Sequence, residues 1–236
     1  MTHVLRPYLE LVRAGNLPTV WTNVLTAAVL SGSGWSWGSV ALLAAAMSLV
    51  YCGGMVLNDL WDAPVDRVER PERPIPSGRA SGRVAAVLAA VLLGGGAGLL
   101  WGAPHRAGFG AGLVLVGAVA AYDRFHKGLP WSVFVMAGCR FLVFVVAGLG
   151  IAGCLRGPVL LAGLVQYLYV LALSAAARLP EGRRESLHIP GVPALIAGVS
   201  LVDGAVLLLL AGGGWWLAGA AGAGLAWVGN RWVPGD

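Results

Sequence analysis

The chain has 236 residues, of which 58% are hydrophobic and 11% charged, and its mean hydropathy is +0.77. This excludes a soluble domain of average composition and makes lipid the medium. The formal net charge of +5 does not imply nucleic acid as a partner, because the basic residues lie in short loops beside acidic ones, without an aromatic-studded basic surface.

Met1 to Arg13 carries His3, Arg6, Glu10 and Arg13 and reads as a short amphipathic helix on the membrane surface. Gly15 to Leu30 leads directly into further apolar sequence, so no removable signal peptide is expected. Apolar runs then predict spans near 17–33, 38–58, 84–102, 108–123, 131–151, 157–177, 191–211 and 213–230. The expectation is an all-α polytopic transmembrane bundle, 1–236 as one domain, with about eight spans and bounds of seven to nine. Several runs are short against the ~20 residues that cross hydrocarbon. Glycine is abundant, at 36 residues, as in helices that pack closely within a bilayer. Cys52, Cys139 and Cys154 lack metal-ligand spacing and read as small buried residues.

The second span ends in Asn58-Asp59-Leu60-Trp61-Asp62-Ala63-Pro64-Val65-Asp66. If the helix continues, steps of ~100° place Asn58, Asp62 and Asp66 at roughly 0°, 40° and 80°, with Asp59 near 100°. One face then carries oxygen ligands of the kind that suits Mg2+, unless the cluster is only a solvated helix end. Pro64 is expected to loosen the last turn. Residues 61–83 read as an Asp/Arg/Pro-rich active-site loop. Within it, Pro71, Pro74 and Pro76 favour an extended or turned path, and Arg67, Arg70, Arg73 and Arg79 either bind phosphate oxygens or hold the loop in the cytoplasm.

Asn-Asp-x-x-Asp-x-x-x-Asp followed by Arg73-Pro74-Ile75-Pro76-Ser77-Gly78 resembles the UbiA superfamily of intramembrane prenyltransferases. The resemblance implies a bundle of two four-helix halves in which Asn58, Asp62 and Asp66 hold Mg2+ against the diphosphate of a polyprenyl donor. Asp59, Arg73 and Arg79 are then substrate-binding.

Further along, Tyr122-Asp123-Arg124-Phe125-His126-Lys127-Gly128-Leu129-Pro130 is similar to the family's second element. It implies Lys127 on a phosphate and Tyr122 facing the developing allylic cation, although Tyr and Lys also mark an ordinary membrane boundary. Asp123 is a further possible ligand or proton acceptor. Arg140 falls about 15 Å along its helix, where an Arg costs at least ~2.5 kcal/mol unless it meets an anion or water. It either binds an acidic group on the acceptor or pairs with an aspartate. The family's second aspartate motif is missing. Ser174 to Glu185 offers only Glu181 and Glu185, expected in a loop, with Arg178, Arg183 and Arg184 as substitute contacts to the diphosphate. The family's last helix is expected to be absent, as in divergent EboC-type members.

Placing the N-terminus in the cytoplasm puts 13 of the 16 Lys and Arg residues there. Both termini and the active-site loop then face the cytoplasm of a bacterial inner membrane. The resemblance implies Mg-dependent prenyl transfer to an aromatic or other small lipophilic acceptor. The alternative is a non-catalytic membrane protein that binds or carries a prenylated lipid. A CDP-alcohol phosphotransferase is disfavoured, since its Asp-Gly-x-x-Ala-Arg opening is not present.

Overall fold

The computed structural model describes residues 2–32, 34–127, 129 and 131–232, with side chains from Arg6 onward, and contains no strand among them. Its helices are α1 (Thr2–Val12), α2 (Leu17–Leu30), α3 (Trp37–Glu69), α4 (Gly82–Leu100), α5 (Arg106–Phe125), α6 (Ser132–Ala152), α7 (Gly157–Ala177), α8 (Glu181–Ser186), α9 (Val192–Leu210) and α10 (Trp216–Trp232). Eight of them, α2 to α7 with α9 and α10, fall on the eight expected spans. Six are long and apolar enough to cross a membrane by length and composition. The other two, α2 with 14 residues and α10 with 17, are shorter than the ~20 residues a full crossing takes.

Short connections make successive helices neighbours, so α3 packs on α4, α5 on α6, α6 on α7 and α9 on α10. The first half, α2 to α5, and the second meet where α5 packs on α6 and along α2, which touches α3, α6, α7, α9 and α10. Val20, Val24 and Ala27 of α2 accordingly pack in one core with Leu43, Met47, Phe144, Ala147 and Leu207.

The longest element, α3, positions the polar residues. A capping box starts it: Ser39 N–H donates to Ser36 Oγ at 3.1 Å and Ser36 N–H to Ser39 Oγ at 3.1 Å. With 33 residues it runs ~50 Å, well beyond the ~30 Å of hydrocarbon, so its last turns stand in the interface. Pro64 lies inside it, and the helix does not stop there. The predicted loop 61–83 is therefore shorter: 61–69 belong to α3, 82–83 to α4, and only 70–81 form the connection. That connection is turned, with Ala80 N–H donating to Pro74 O at 2.8 Å and Gly78 at φ 76°. Ile75 tucks against a small apolar cluster of Leu11, Val56, Ala80, Ala85 and Ala89.

Three local expectations change. Glu181 and Glu185 lie on the short helix α8 rather than in a loop, started by Pro180, whose carbonyl accepts from Arg183 and Arg184 N–H. Cys154 is exposed, not buried, because Gly153 ends α6 in a left-handed turn and turns the chain outward. Gly128 and Pro130 of the second element, together with Met1, lie outside the described residues.

Candidate active site at the ends of two helices

The polar end of α3 is sorted into two flanks. Asp66 falls within ~20° of Asp59 around the axis and Asp62 within ~40° of Asn58, so the four residues form two pairs rather than one row. On the flank facing α5, Asn58 Nδ2 donates to Asp123 Oδ1 at 3.3 Å. Lys127 Nζ lies 3.0 Å and His126 Nε2 3.3 Å from Asp62 Oδ1. The His126 ring stacks on Tyr122, centroids 5.0 Å apart, and the Tyr122 hydroxyl reaches Met136 Sδ at 3.6 Å. On the other flank Arg73 Nη1 bridges Asp66 Oδ2 at 2.8 Å and Asp59 Oδ1 at 3.4 Å, and Arg13 Nη2 reaches Asp59 Oδ1 at 3.2 Å.

Asp59, Asp62, Asp66 and Asp123 are all buried. Two fully buried carboxylate oxygens of the site make no hydrogen bond among the described residues: Asp62 Oδ1, held only by its close approach to Lys127 and His126, and Asp123 Oδ2. Asp123 Oδ2, with neither a hydrogen bond nor an ion pair among the described residues, is costly to bury and needs a partner. Both belong to the α3–α5 flank, where Asn58 adds an amide oxygen. This set of hard oxygen donors fits a divalent cation such as Mg2+. Among the described residues no three carboxylate, imidazole or thiol groups already converge as a preformed metal cage, because Asp59 and Asp66 are turned to arginines.

Beside the site, a cavity of about 270 Å³ lies between Tyr122, Phe125, His126, Leu129, Trp131 and Val135. Its lining is almost wholly apolar. Arg124 rests over the Trp61 ring at 4.9 Å and ties the two helix ends together on the outside.

The structure thus joins Asn58, Asp62, Tyr122 and Lys127 on one flank and Asp59, Asp66 and Arg73 on the other. Arg79 lies apart, its guanidinium donating to Glu10 Oε2 at 2.8 Å, Glu72 O at 2.7 Å and Ser77 Oγ at 3.3 Å. Arg178 sits exposed at the end of α7, without an ion pair or side-chain hydrogen bond among the described residues. Arg140 is in the bundle interior, donating to Asn23 Oδ1 at 2.8 Å and Thr19 Oγ1 at 3.4 Å. Asn23 in turn donates to Asp203 Oδ2 at 2.7 Å, and Gln166 to Asp203 Oδ1 at 2.8 Å. Arg140 and Asp203 are therefore joined through Asn23 rather than in direct contact.

Sequence reasoning missed the role of Arg13. Its signal was its place at the junction of surface helix and first span, on the same side as the aspartates.

A helical membrane bundle whose longest helix carries carboxylates out of the bilayer to meet basic side chains defines a class: integral membrane proteins with a polar site at one bilayer boundary. A profile of the UbiA prenyltransferase family matches residues 17–233, and the chain belongs to that family. It is similar to digeranylgeranylglyceryl phosphate synthase of Ignicoccus hospitalis, 44% identical over 38% of this chain and 29% of that one. With the enzyme of the same name from Sulfolobus acidocaldarius it shares 29% identity over 71% of this chain and 60% of the other. The matched stretches thus span no more than 60% of either relative's length. In fold, the chain matches a UbiA homologue from Archaeoglobus fulgidus bound to DMAPP and Mg2+, with TM-score 0.64 and 16% identity over 95% of this chain and 99% of that one. It also matches a structure of digeranylgeranylglyceryl phosphate synthase, with TM-score 0.63 and 19% identity over 98% and 93%.

Proposed function

We propose that the protein is a prenyltransferase that moves a prenyl group from a polyprenyl diphosphate to a lipophilic acceptor within the membrane. The observation that carries this reading is the meeting of Asn58 and Asp62 with Asp123, His126 and Lys127, where buried carboxylate oxygens and an ammonium group share one corner. Family membership and the Archaeoglobus homologue with its bound diphosphate support it. Asn58 and Asp62, with Asp66 on the next turn and Asp123 opposite, are the residues that would hold Mg2+. Bound there, the ion would neutralise negative charge on the departing diphosphate.

The chain's own groups do the rest. Lys127 swings from Asp62 to a phosphate oxygen as a point charge, and Arg73 holds the Asp66 carboxylate in place. The allylic C–O bond breaks, its electron pair leaves with the diphosphate, and the carbon bonds to the acceptor, which gives up a proton. Tyr122 presents an aromatic face to the positive carbon. The apolar cavity behind Tyr122 takes part of the prenyl tail and keeps water away.

For the acceptor, the relatives favour a glyceryl phosphate lipid over the aromatic ring that the resemblance implied, since their name specifies digeranylgeranylglyceryl phosphate. The distribution of Lys and Arg favours a cytoplasmic side for the site, the loop and both ends of the described chain. A non-catalytic carrier is the second reading, favoured by Glu181 and Glu185, which lie exposed on α8 and replace no buried aspartate pair.

The test is pyrophosphate release by purified protein in nanodiscs with Mg2+, polyprenyl diphosphates and glyceryl phosphate or aromatic acceptors. Release with a prenylated product, lost at least about a hundredfold in Asp62→Ala as expected for a charge-stabilising group, is the outcome expected. Mg2+-dependent donor binding without release would leave the carrier reading.

A further inference from the structure

A cavity of about 420 Å³ lies at the end of the bundle away from the aspartates, where α2 and α9 finish and α7 begins. Its lining includes Leu30, Gly32, Trp35, Pro158, Leu210 and Trp215, none of which serves the proposed transfer chemistry. The volume falls within the ~300–1,000 Å³ that small-ligand pockets span. Its two sides carry opposite partial charge. On one side α2 and α9 end, and the carbonyls of Leu30 and Leu210 accept no hydrogen bond among the described residues. Two helix C-termini make that side partially negative. On the other side α7 presents its N-terminal end, preceded by Arg156. The Arg156 guanidinium lies against Gly32 of the lining, so near that a Cβ on Gly32 would come within 2.6 Å of Nη1. Arg156 is exposed and makes no side-chain hydrogen bond or ion pair among the described residues. Trp35 and Trp215 complete the wall, their rings edge to face with centroids 5.8 Å apart.

We infer that this cavity binds the zwitterionic headgroup of a phospholipid, a primary ammonium beside a phosphodiester. The ammonium donates its N–H groups to the free carbonyls where α2 and α9 end, and the neighbouring indole rings favour a cation. The phosphate takes the forked donors of Arg156, helped by the start of α7. A quaternary ammonium brings the charge but no N–H for the carbonyls. A phosphoglycerol headgroup brings hydroxyl donors but no positive charge. The lipid source follows from the side chains next to the cavity. Leu160, Leu161 and Leu164 of α7 and Leu208 and Leu209 of α9 are exposed, so acyl chains leaving the headgroup run along an apolar face of the bundle. The site needs neither a prenyl donor nor Mg2+, and it stands whether or not the protein is a transferase.

The test is calorimetry on the full chain in detergent, with short-chain phosphatidylethanolamine, phosphatidylcholine and phosphatidylglycerol and with soluble glycerophosphoethanolamine as probes. Phosphatidylethanolamine is expected to bind at least about tenfold more tightly than each of the others, the scale of one charge-assisted hydrogen bond. Arg156→Ala, at an exposed position, should weaken it by about tenfold for the same reason. Arg106→Ala, which removes another exposed arginine from the same end of the bundle, should leave it unchanged. Equal binding of phosphatidylglycerol overturns the ammonium contact, and equal binding of phosphatidylcholine overturns N–H donation to the carbonyls. Equal binding of glycerophosphoethanolamine overturns the lipid source. No binding of phosphatidylethanolamine, no effect of Arg156→Ala, or an equal loss in Arg106→Ala overturns the site itself.

Discussion

Two arginines of one loop differ sharply in what they hold. Arg73 is 12% exposed and is shared between Asp59 and Asp66, themselves 9% and 5% exposed at the side chain. Arg79 is 44% exposed and pairs with Glu10. Removing Arg73 leaves two buried carboxylates short of their shared counter-charge, a loss of about 3 kcal/mol by analogy with broken buried pairs. The exposed Arg79 pair contributes under ~1 kcal/mol. Thermal unfolding in detergent should therefore fall well below wild type for Arg73→Ala and only slightly for Arg79→Ala. Comparable shifts would mean that Arg73 does not clamp the two aspartates. Both residues were legible in the sequence only as members of one Arg–Pro motif, which carries no information on burial. Arg140 was legible as an anomaly from its depth alone. Its partner was not, because Asn23 lies 117 positions away and only the fold brings α2 beside α6.

Among the elements, what hydropathy revealed best was the set of eight apolar helices, since each apolar run must bury its own backbone polar groups in lipid. What it revealed least was where α3 ends. Polar residues and Pro64 read as a loop from residue 61, yet the helix continues to Glu69 because arginines partner its buried aspartates. Helix contacts were equally hidden. The α9–α10 pair closes on Gly204 and Gly219, whose backbones approach so nearly that a Cβ on Gly219 would fall inside van der Waals contact with Gly204 Cα and Ser200 O. A Cβ on Gly224, five residues along the same helix, meets nothing within 4 Å. Gly219→Ala should thus cost about 1–3 kcal/mol through overpacking. Gly224→Ala should be neutral or gain up to ~1 kcal/mol of helix propensity. Unfolding temperatures of the two variants in detergent check this; a harmless Gly219→Ala would show that the two helices can part without loss.

At the scale of the whole molecule the two ends of the bundle are chemically unlike. One carries the aspartates, the arginine loop and Lys127. The other carries Trp35, Trp37 and Trp215, whose ring centroids lie 5.1 to 6.4 Å apart, with the α6–α7 turn containing Cys154. Tryptophans favour the headgroup level on either side of a bilayer, so they do not fix direction; lysines and arginines do. Thirteen of sixteen lie toward the aspartate end, so the proposed orientation predicts that Cys154 lies on the far side from the cytoplasm. The protein carries its own reporter for this, since Cys154 is exposed while Cys52 is buried and Cys139 partly so. A membrane-impermeant maleimide should label right-side-out vesicles and spare inverted ones, and Cys154→Ser should abolish the signal. Labelling confined to inverted vesicles would reverse the orientation and put the aspartate site outside, away from a cytoplasmic supply of diphosphate donors. Because the proposed site opens at only one boundary, this single measurement decides from which side its water-soluble ligands must come.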